Sequence, residues 1–557
     1  MKKAILFLVI YCFSLTCFAD YPAHGYARVS EDSRVAVASV NPDATGIAMD
    51  VVKRGGNAVD AAIATAFALG VVDAHNSGIG GGAFILVRLA DGRILAIDGR
   101  EMAPAAAHRD MFLQNGKANP ELSRTGSLAI GIPGSVAALH KLQQEGGKLK
   151  FSDVLIPSAE LAEKGFAISP IVAERLASTA TEIKKFPATA AIYLDKSGQP
   201  FRTNTRIKNP DLARTYRKLA KSGPDYFYNG EFANKAVQWL EKNNGIITRD
   251  DFAHYQAKLR EPVATQFAGY TLYGFPPPSS GGIHVAQILN ILENFDLHKS
   301  TTSERYHLMA EAMKFAFADR AHWLGDADFT KVPLSLTDKA YAKTIAKKIR
   351  MDKIATHTTH GDPDVDIPHL MNKHTTHITA ADRDGNWVAI TTTVNTGFGS
   401  KVVIPGTGVV MNNQMDDFSA QVGVANAFGL VGSDANAIAA KKRPLSSMSP
   451  TLVFKDNQPV MALGAAGGPT IISQVVQSLL YMLEFNMPAE EAIEQPRIHE
   501  QWSPDILFVE AAMPEMVRKA LEQKGHQVKI WPSMGASQII QLRDGKLVPV
   551  ADPRVMK

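Results

Sequence analysis

The 557-residue chain is poor in cysteine, with only Cys12 and Cys17, and both fall in a segment expected to be removed. Met1-Lys2-Lys3, the apolar run from Ala4 to Phe18 and the small residue Ala19 have the order of a secretory signal, with cleavage predicted after Ala19. The mature chain would then hold no thiol, which excludes disulfides, thiolate ligands and cysteine catalysis. Neither cysteine follows the small-residue pattern of a lipoprotein signal, so no membrane anchor is expected. No later apolar run reaches the length of a transmembrane helix. Charge of one sign is also lacking: once Lys2 and Lys3 are gone, 57 of the 59 basic residues stand against 55 acidic ones. That balance gives no electrostatic case for nucleic acid or a membrane surface. These features imply a periplasmic or secreted protein.

What is present is ordinary globular composition, 45% hydrophobic and 20% charged, which fits an α/β fold. One stretch organises the rest. Asp384-Gly385 lies between Thr375-Thr376-His377-Ile378-Thr379 and Trp387-Val388-Ala389-Ile390-Thr391-Thr392-Thr393, and predicts a hairpin closed by a tight type I′ turn. Thr375 should open one strand and Thr393 should close its partner, bringing their hydroxyls together. A Thr hydroxyl is a weak nucleophile until a base removes its proton, and a free α-amine of pKa about 7.7–8.0 can serve. An internal Thr has no such amine, so this chemistry requires cleavage between His374 and Thr375. Taken alone, the same residues read first as a threonine-rich hairpin.

Other stretches supply candidate partners. Asn76-Ser77-Gly78-Ile79-Gly80-Gly81-Gly82 superficially matches a dinucleotide fingerprint, but its glycines follow a helix and precede a strand, the reverse of the required context. They read as a turn that permits close backbone packing. Arg100 just past the strand Ile94 to Ile97 is placed to fork onto a carboxylate, with a surface salt bridge to Glu101 as the plainer account. Val263 to Tyr273 reads as a strand, Tyr306 to Leu324 as a long helix with apolar spacing, and the region around Gly406-Thr407-Gly408 as a strand pair. The Gly- and Ala-rich stretch from Gln421 to Asn436 reads as a lid loop. Gly467-Gly468 opens a helix running to about Met482, where exposed N–H groups suit an oxyanion hole.

From Thr356 to His374 the pattern dissolves into His-Thr repeats, aspartates and prolines, the composition of an accessible segment before a processing site. His357, His360, His369 and His374, with His377, raise the alternative of a His-rich periplasmic metal-binding protein. They lack the helical spacing of a zinc site, and Asp362, Asp364 and Asp366 lack the Gly and Glu of a calcium loop. No metal is expected.

Taken together these stretches resemble the γ-glutamyltranspeptidase family over nearly the whole mature chain. The likeness is carried by Gly55 to Ala62, Ser77 to Gly82, Arg100 to Pro104, Pro277 to Gly282, Thr375-Thr376-His377, Asn412 to Phe418 and Pro444 to Pro450. The resemblance implies an αββα sandwich of the N-terminal-nucleophile hydrolase type, with large and small subunits interleaved in one core. Residues 1–19 would be the signal, 20–374 the large subunit and 375–557 the small catalytic subunit, a heterodimer cut from one precursor at His374-Thr375.

Carried over to matching positions, Thr375 would be the nucleophile with Thr393 supporting its hydroxyl, and Gly467 and Gly468 the oxyanion donors. Arg100, Ser446 and Ser447 would hold the α-carboxylate of a γ-glutamyl donor, and Asn395, Gln414 and Asp417 its α-ammonium. Glutathione or another γ-glutamyl compound would be the donor and water, an amino acid or a dipeptide the acceptor, with no cofactor. Phe428 stands where many bacterial relatives carry Tyr, so the resemblance implies no lid hydroxyl bond to the hairpin region, and Ala465-Ala466 stand where Ser-Pro is frequent. The nearest rival is a glutaryl- or cephalosporin-type acylase of the same superfamily. Asp417 argues against it, because those substrates bring no cation to pair with a buried carboxylate.

Overall fold

The computed structural model describes residues 24–355 and 375–556. The expected signal, the His-Thr segment and His374 therefore lie outside the described residues.

Two antiparallel sheets pack against each other. The first has seven strands in the order Arg28–Val29, Val35–Ala38, Thr376–Asp382, Trp387–Thr393, Gly82–Arg88, Ile94–Gly99 and Lys258–Arg260. The second has six, in the order Val263–Phe267, Tyr270–Gly274, Thr451–Lys455, Gln458–Ala466, Ala536–Arg543 and Lys546–Ala551. Side chains alternate across a strand, and both faces of the first sheet are buried. Ile85, Val87, Ile378, Ala380, Val388 and Ile390 point into one core with the helices Pro42–Lys53, Ala58–Val72, Ser135–Gly146 and Phe151–Lys164. Phe84, Leu86, Ala381, Trp387 and Ala389 point into a second core shared with the other sheet. The outer face of that sheet is covered by Gly281–Leu292, Thr302–Trp323 and Thr470–Leu479. The result is the expected αββα sandwich.

Several local expectations change. The hairpin carries no type I′ turn: only Gly385 has positive φ (+96°), and Asp382 exchanges backbone bonds with Gly385 and Asn386 around a longer loop. The Asp382 carboxylate holds that loop by accepting from Asn386 N and Nδ2 and from Ala58 N. Val263 to Tyr273 is a hairpin rather than one strand, folded at Ala268-Gly269, where both residues take positive φ. Around Gly406 only a single bridge, Val403 to Val410, replaces the expected strand pair. The last helix is regular over Thr470–Leu479 and then widens into a π turn, Leu480–Glu484.

Candidate active site

Thr375 lies just before the strand Thr376–Asp382, and Thr393 is the last residue of Trp387–Thr393, whose register sets Thr376 opposite Thr392. One step further out, Thr375 Oγ1 lies 3.0 Å from Thr393 Oγ1, and Thr393 Oγ1 also accepts from Asn395 N at 2.9 Å. Both threonines are buried. Thr375 has φ +85°, a conformation rare for a β-branched residue. The glycine turn before Gly82–Arg88 packs as the sequence predicts: a Cβ on Gly81 would lie 1.9 Å from Thr393 O.

A pocket of about 330 Å³, partly open to solvent, is lined by Thr375, Thr393, Asn395, Arg100, Gln414, Asp417, Ser446, Ser447 and Gly468. Nine of the ten residues chosen from sequence thus share one cavity. Gly467 is not among its lining residues. The N–H groups of Gly467 and Gly468 have no partner among the described residues. Both glycines take positive φ, +136° and +59°. Phe428 covers this end, since a Cβ on Gly468 would meet its ring at 2.8 Å. The segment bearing Phe428 is tied down: Ala427 N donates to Asp416 Oδ2, and Gln501 Nε2 donates to Phe428 O and Gly429 O.

At the other end, Arg100 Nη2 donates to Asp417 Oδ2 at 2.5 Å, and Gln414 Nε2 donates to the same oxygen at 2.7 Å. Arg100 also donates to Pro444 O and Leu445 O. Arg100 is buried, and its pair with Glu101 lies inside the protein rather than at the surface: Nη1 is 3.6 Å from Oε2 of the fully buried Glu101. Burial pushes the Glu101 carboxyl up to about 8, against the pull of Arg100. Of the two carboxyl groups, Asp417 makes the closer contact with Arg100, at 2.5 Å against 3.6 Å. Burial raises the Asp417 carboxyl too, while Arg100 holds it down. Asn395, which lines the pocket, donates from Nδ2 to Asn413 O at 3.1 Å.

Sequence reasoning misses Arg320, which it passes over within the long apolar-spaced helix. Arg320 lines the same pocket, donating from Nη2 to Ser447 Oγ at 3.2 Å and from Nε to Ser280 Oγ at 3.0 Å. Burial lowers its guanidinium to about 10, with Asp417 opposing. The signal is a cation at the three- and four-residue spacing from Phe317 and Ala316, on the buried stripe of that helix.

Of the histidines considered for metal binding, only His377 is described. Its ring is buried against Gly464, and Nδ1 lies 2.8 Å from Thr391 Oγ1. Among the described residues, His307, Glu311 and His526 bring three ligand-type atoms within 4.8 Å of one another. Within that trio His307 Nδ1 and His526 Nε2 hydrogen-bond each other at 2.8 Å, Glu311 Oε2 accepts from Ala355 N, and Lys314 Nζ lies 3.6 Å from Glu311 Oε1. No described helix is long and apolar enough to cross a membrane.

Comparison with known proteins gives the family. A family model described as gamma-glutamyltranspeptidase matches residues 44–557. The glutathione hydrolase proenzyme of Escherichia coli (strain K12) is 42% identical over 555 residues, spanning 98% of this chain and 95% of that protein. Among solved structures, a cephalosporin acylase from Bacillus halodurans superposes with a TM-score of 0.83 at 27% identity, covering 97% of this chain and 98% of that one. A γ-glutamyltranspeptidase chain from Helicobacter pylori gives a TM-score of 0.55 at 40% identity, covering 57% of this chain and 91% of that one. With a family model matching nearly the whole described chain and a relative this close in sequence, the protein belongs to the γ-glutamyltranspeptidase family.

Proposed function

We propose that the chain is a self-processing γ-glutamyltransferase and glutathione hydrolase with Thr375 as its nucleophile. The carrying observation is the 3.0 Å Thr375–Thr393 hydroxyl pair in a pocket that also holds the Arg100–Asp417 ion pair. In the precursor, Thr375 Oγ1 attacks the carbonyl carbon of residue 374. The C–N bond breaks, the nitrogen keeps the hydroxyl proton, and water hydrolyses the resulting ester. The products are residues 20–374 and 375–557, the second with a free α-amine on Thr375. Export of the precursor rests on the signal-like residues 1–19.

In turnover that amine takes the Oγ1 proton as Oγ1 attacks the donor's γ-carbonyl. The Gly467 and Gly468 N–H groups receive the oxyanion. Collapse expels the leaving amine with the proton, and the ester passes to water or to an acceptor amine, which returns a proton to Oγ1. Thr393 keeps the hydroxyl aimed throughout.

Recognition follows from the ion pair. Without donor, Arg100 and Asp417 satisfy each other. A γ-glutamyl donor carries both an α-carboxylate and an α-ammonium, so it separates the pair and gives each partner a new one. Ser446 and Ser447 add hydroxyls to the carboxylate, and Gln414 and Asn395 add amide oxygens to the ammonium. A glutaryl group offers only the anion and must compete with Asp417 for Arg100.

The acylase reading has one observation in its favour, the whole-chain likeness to a cephalosporin acylase. Turnover of γ-glutamyl anilide and glutaryl anilide separates the two readings. The γ-glutamyl compound is expected to be the better substrate; the opposite order replaces this reading with the acylase. N-terminal sequencing of the smaller chain should begin Thr-Thr-His, and Thr375→Ala should remain one inactive chain.

A further inference from the structure

The loop after the buried helix Ala58–Val72 carries a carboxyl group that the chemistry above does not use. Asp73 caps that helix and is 6% exposed. Its Oδ2 accepts a short hydrogen bond from Thr376 Oγ1, and its Oδ1 accepts from Asn76 Nδ2 at 2.9 Å. Thr376 is the residue next to the nucleophile. The bond fixes the first residue of the strand Thr376–Asp382, to which Thr375 is directly joined.

The same loop holds the other half of the catalytic pair. Asn76 O accepts from Val394 N at 2.9 Å, one residue past Thr393, and Gly81 packs against Thr393 O. Thr375 meanwhile sits at φ +85°. A β-branched residue persists there only where its surroundings over-determine it, and a buried hydrogen bond on the adjacent residue is such a constraint. A purely structural clamp would need only a neutral acceptor; a buried carboxyl is the costlier choice.

We infer that Asp73 positions Thr375 through the Thr376 hydroxyl and, when ionised, favours the protonated form of the freed Thr375 amine. The inference rests on Thr375 being the nucleophile. Burial pushes the Asp73 carboxyl up to about 7, opposed by Thr376, Asn76 and Arg175. Its charge therefore changes within the working range of an α-amine base. The charged and titratable groups facing it are Arg175, from the helix Pro170–Ile183, and His75, whose Nδ1 lies 3.5 Å away and whose ring burial keeps neutral. The sign follows. An anion hydrogen-bonded to the residue next to the amine raises the amine's pKa through the low-dielectric interior, so removing it lets the amine act as a base at lower pH.

The test compares kcat, KM and the pH profile for γ-glutamyl anilide, per self-cleaved chain, in Asp73→Asn, Asp73→Ala, Thr376→Val, Thr376→Ser and the Asp73→Ala/Thr376→Val double variant. Asp73→Ala and Thr376→Val should each lower kcat on the order of 100-fold with KM little changed, as a misplaced reacting group does. The double variant should be no worse than the worse single one, and Thr376→Ser should keep most of the activity. Asp73→Asn should move the acid limb of kcat/KM to lower pH. If Asp73→Ala accumulates uncleaved, that slowed cleavage supports the inference, and the near-isosteric Thr376→Val supplies the turnover reading. Unchanged kcat in both single variants, or losses that multiply in the double variant, would overturn the positioning role. An unshifted limb in Asp73→Asn would overturn the electrostatic one. The unsubstituted protein is the control: if it has no turnover, the functional reading fails, whereas an active parent with unaffected variants sinks only the role of Asp73.

Discussion

At the scale of single residues, Asp417 decides what the pocket admits. Its side chain is nine-tenths out of solvent, yet it faces a cation on one side and an amide donor on the other. Asp417→Asn keeps the shape and removes the charge, leaving the donor's ammonium without a counter-ion in a desolvated site. The expected loss is about 2 kcal/mol or more, roughly 30-fold in kcat/KM for γ-glutamyl donors, appearing mainly in KM. Self-cleavage should continue, because the precursor's attack needs no ammonium. Glutaryl amides should suffer far less, since their carboxylate no longer competes with Asp417 for Arg100. Equal losses for both donor classes, measured side by side, would make Asp417 structural and move the amino-group selectivity elsewhere.

At the scale of elements, the site is held by three backbone segments: the central hairpin, the glycine loop beneath it and the glycine turn before Thr470–Leu479. Gly81 is where the first two touch. A Cβ there would lie 1.9 Å from Thr393 O and 3.1 Å from Val394 Cγ1, and both belong to backbone or packed side chain that cannot swing away. Gly81→Ala should therefore destabilise by about 1–3 kcal/mol, the usual range for overpacking, and push Thr393 off Thr375. A lowered Tm with kcat depressed well beyond the loss of folded protein is the expected result; an unchanged kcat in the folded fraction would show that the loop is only a spacer. The same elements explain what sequence makes legible. Thr375 and Thr393 are paired by short-range register around Gly385, so counting along two strands finds them. Ser446, Ser447 and Gln414 come instead with family motifs whose residues stay together in the chain. The partners of Arg320 and Asp73 are not legible, because Ser447 and Thr376 lie 127 and 303 positions away. The strands Ala536–Arg543 and Lys546–Ala551 are also invisible to motif reading, since they extend a sheet and fill its core with ordinary apolar residues such as Ile539, Ile540 and Val550.

At the scale of the molecule, a cut before Thr375 would not make two separable bodies. Thr376–Asp382 and Trp387–Thr393 sit in the middle of the first sheet, flanked by Val35–Ala38 on one side and Gly82–Arg88 on the other. In the second sheet Tyr270–Gly274, from the larger product, pairs with Thr451–Lys455, from the smaller. His24 and Gly25 lie against Val550 and Ala551, close to the two ends of the described chain. Pulling the products apart would expose unpaired strand edges in both sheets and open both cores, each of which takes residues from before and after the cut. The cleaved protein should therefore unfold in one transition, with sheet signal and subunit association lost together as urea rises. Size-exclusion chromatography and circular dichroism along one urea series would test this. Elution of a smaller chain that keeps its secondary structure, at urea below the unfolding midpoint, would show that one product folds alone and that the sandwich is less interdependent than its strand order implies.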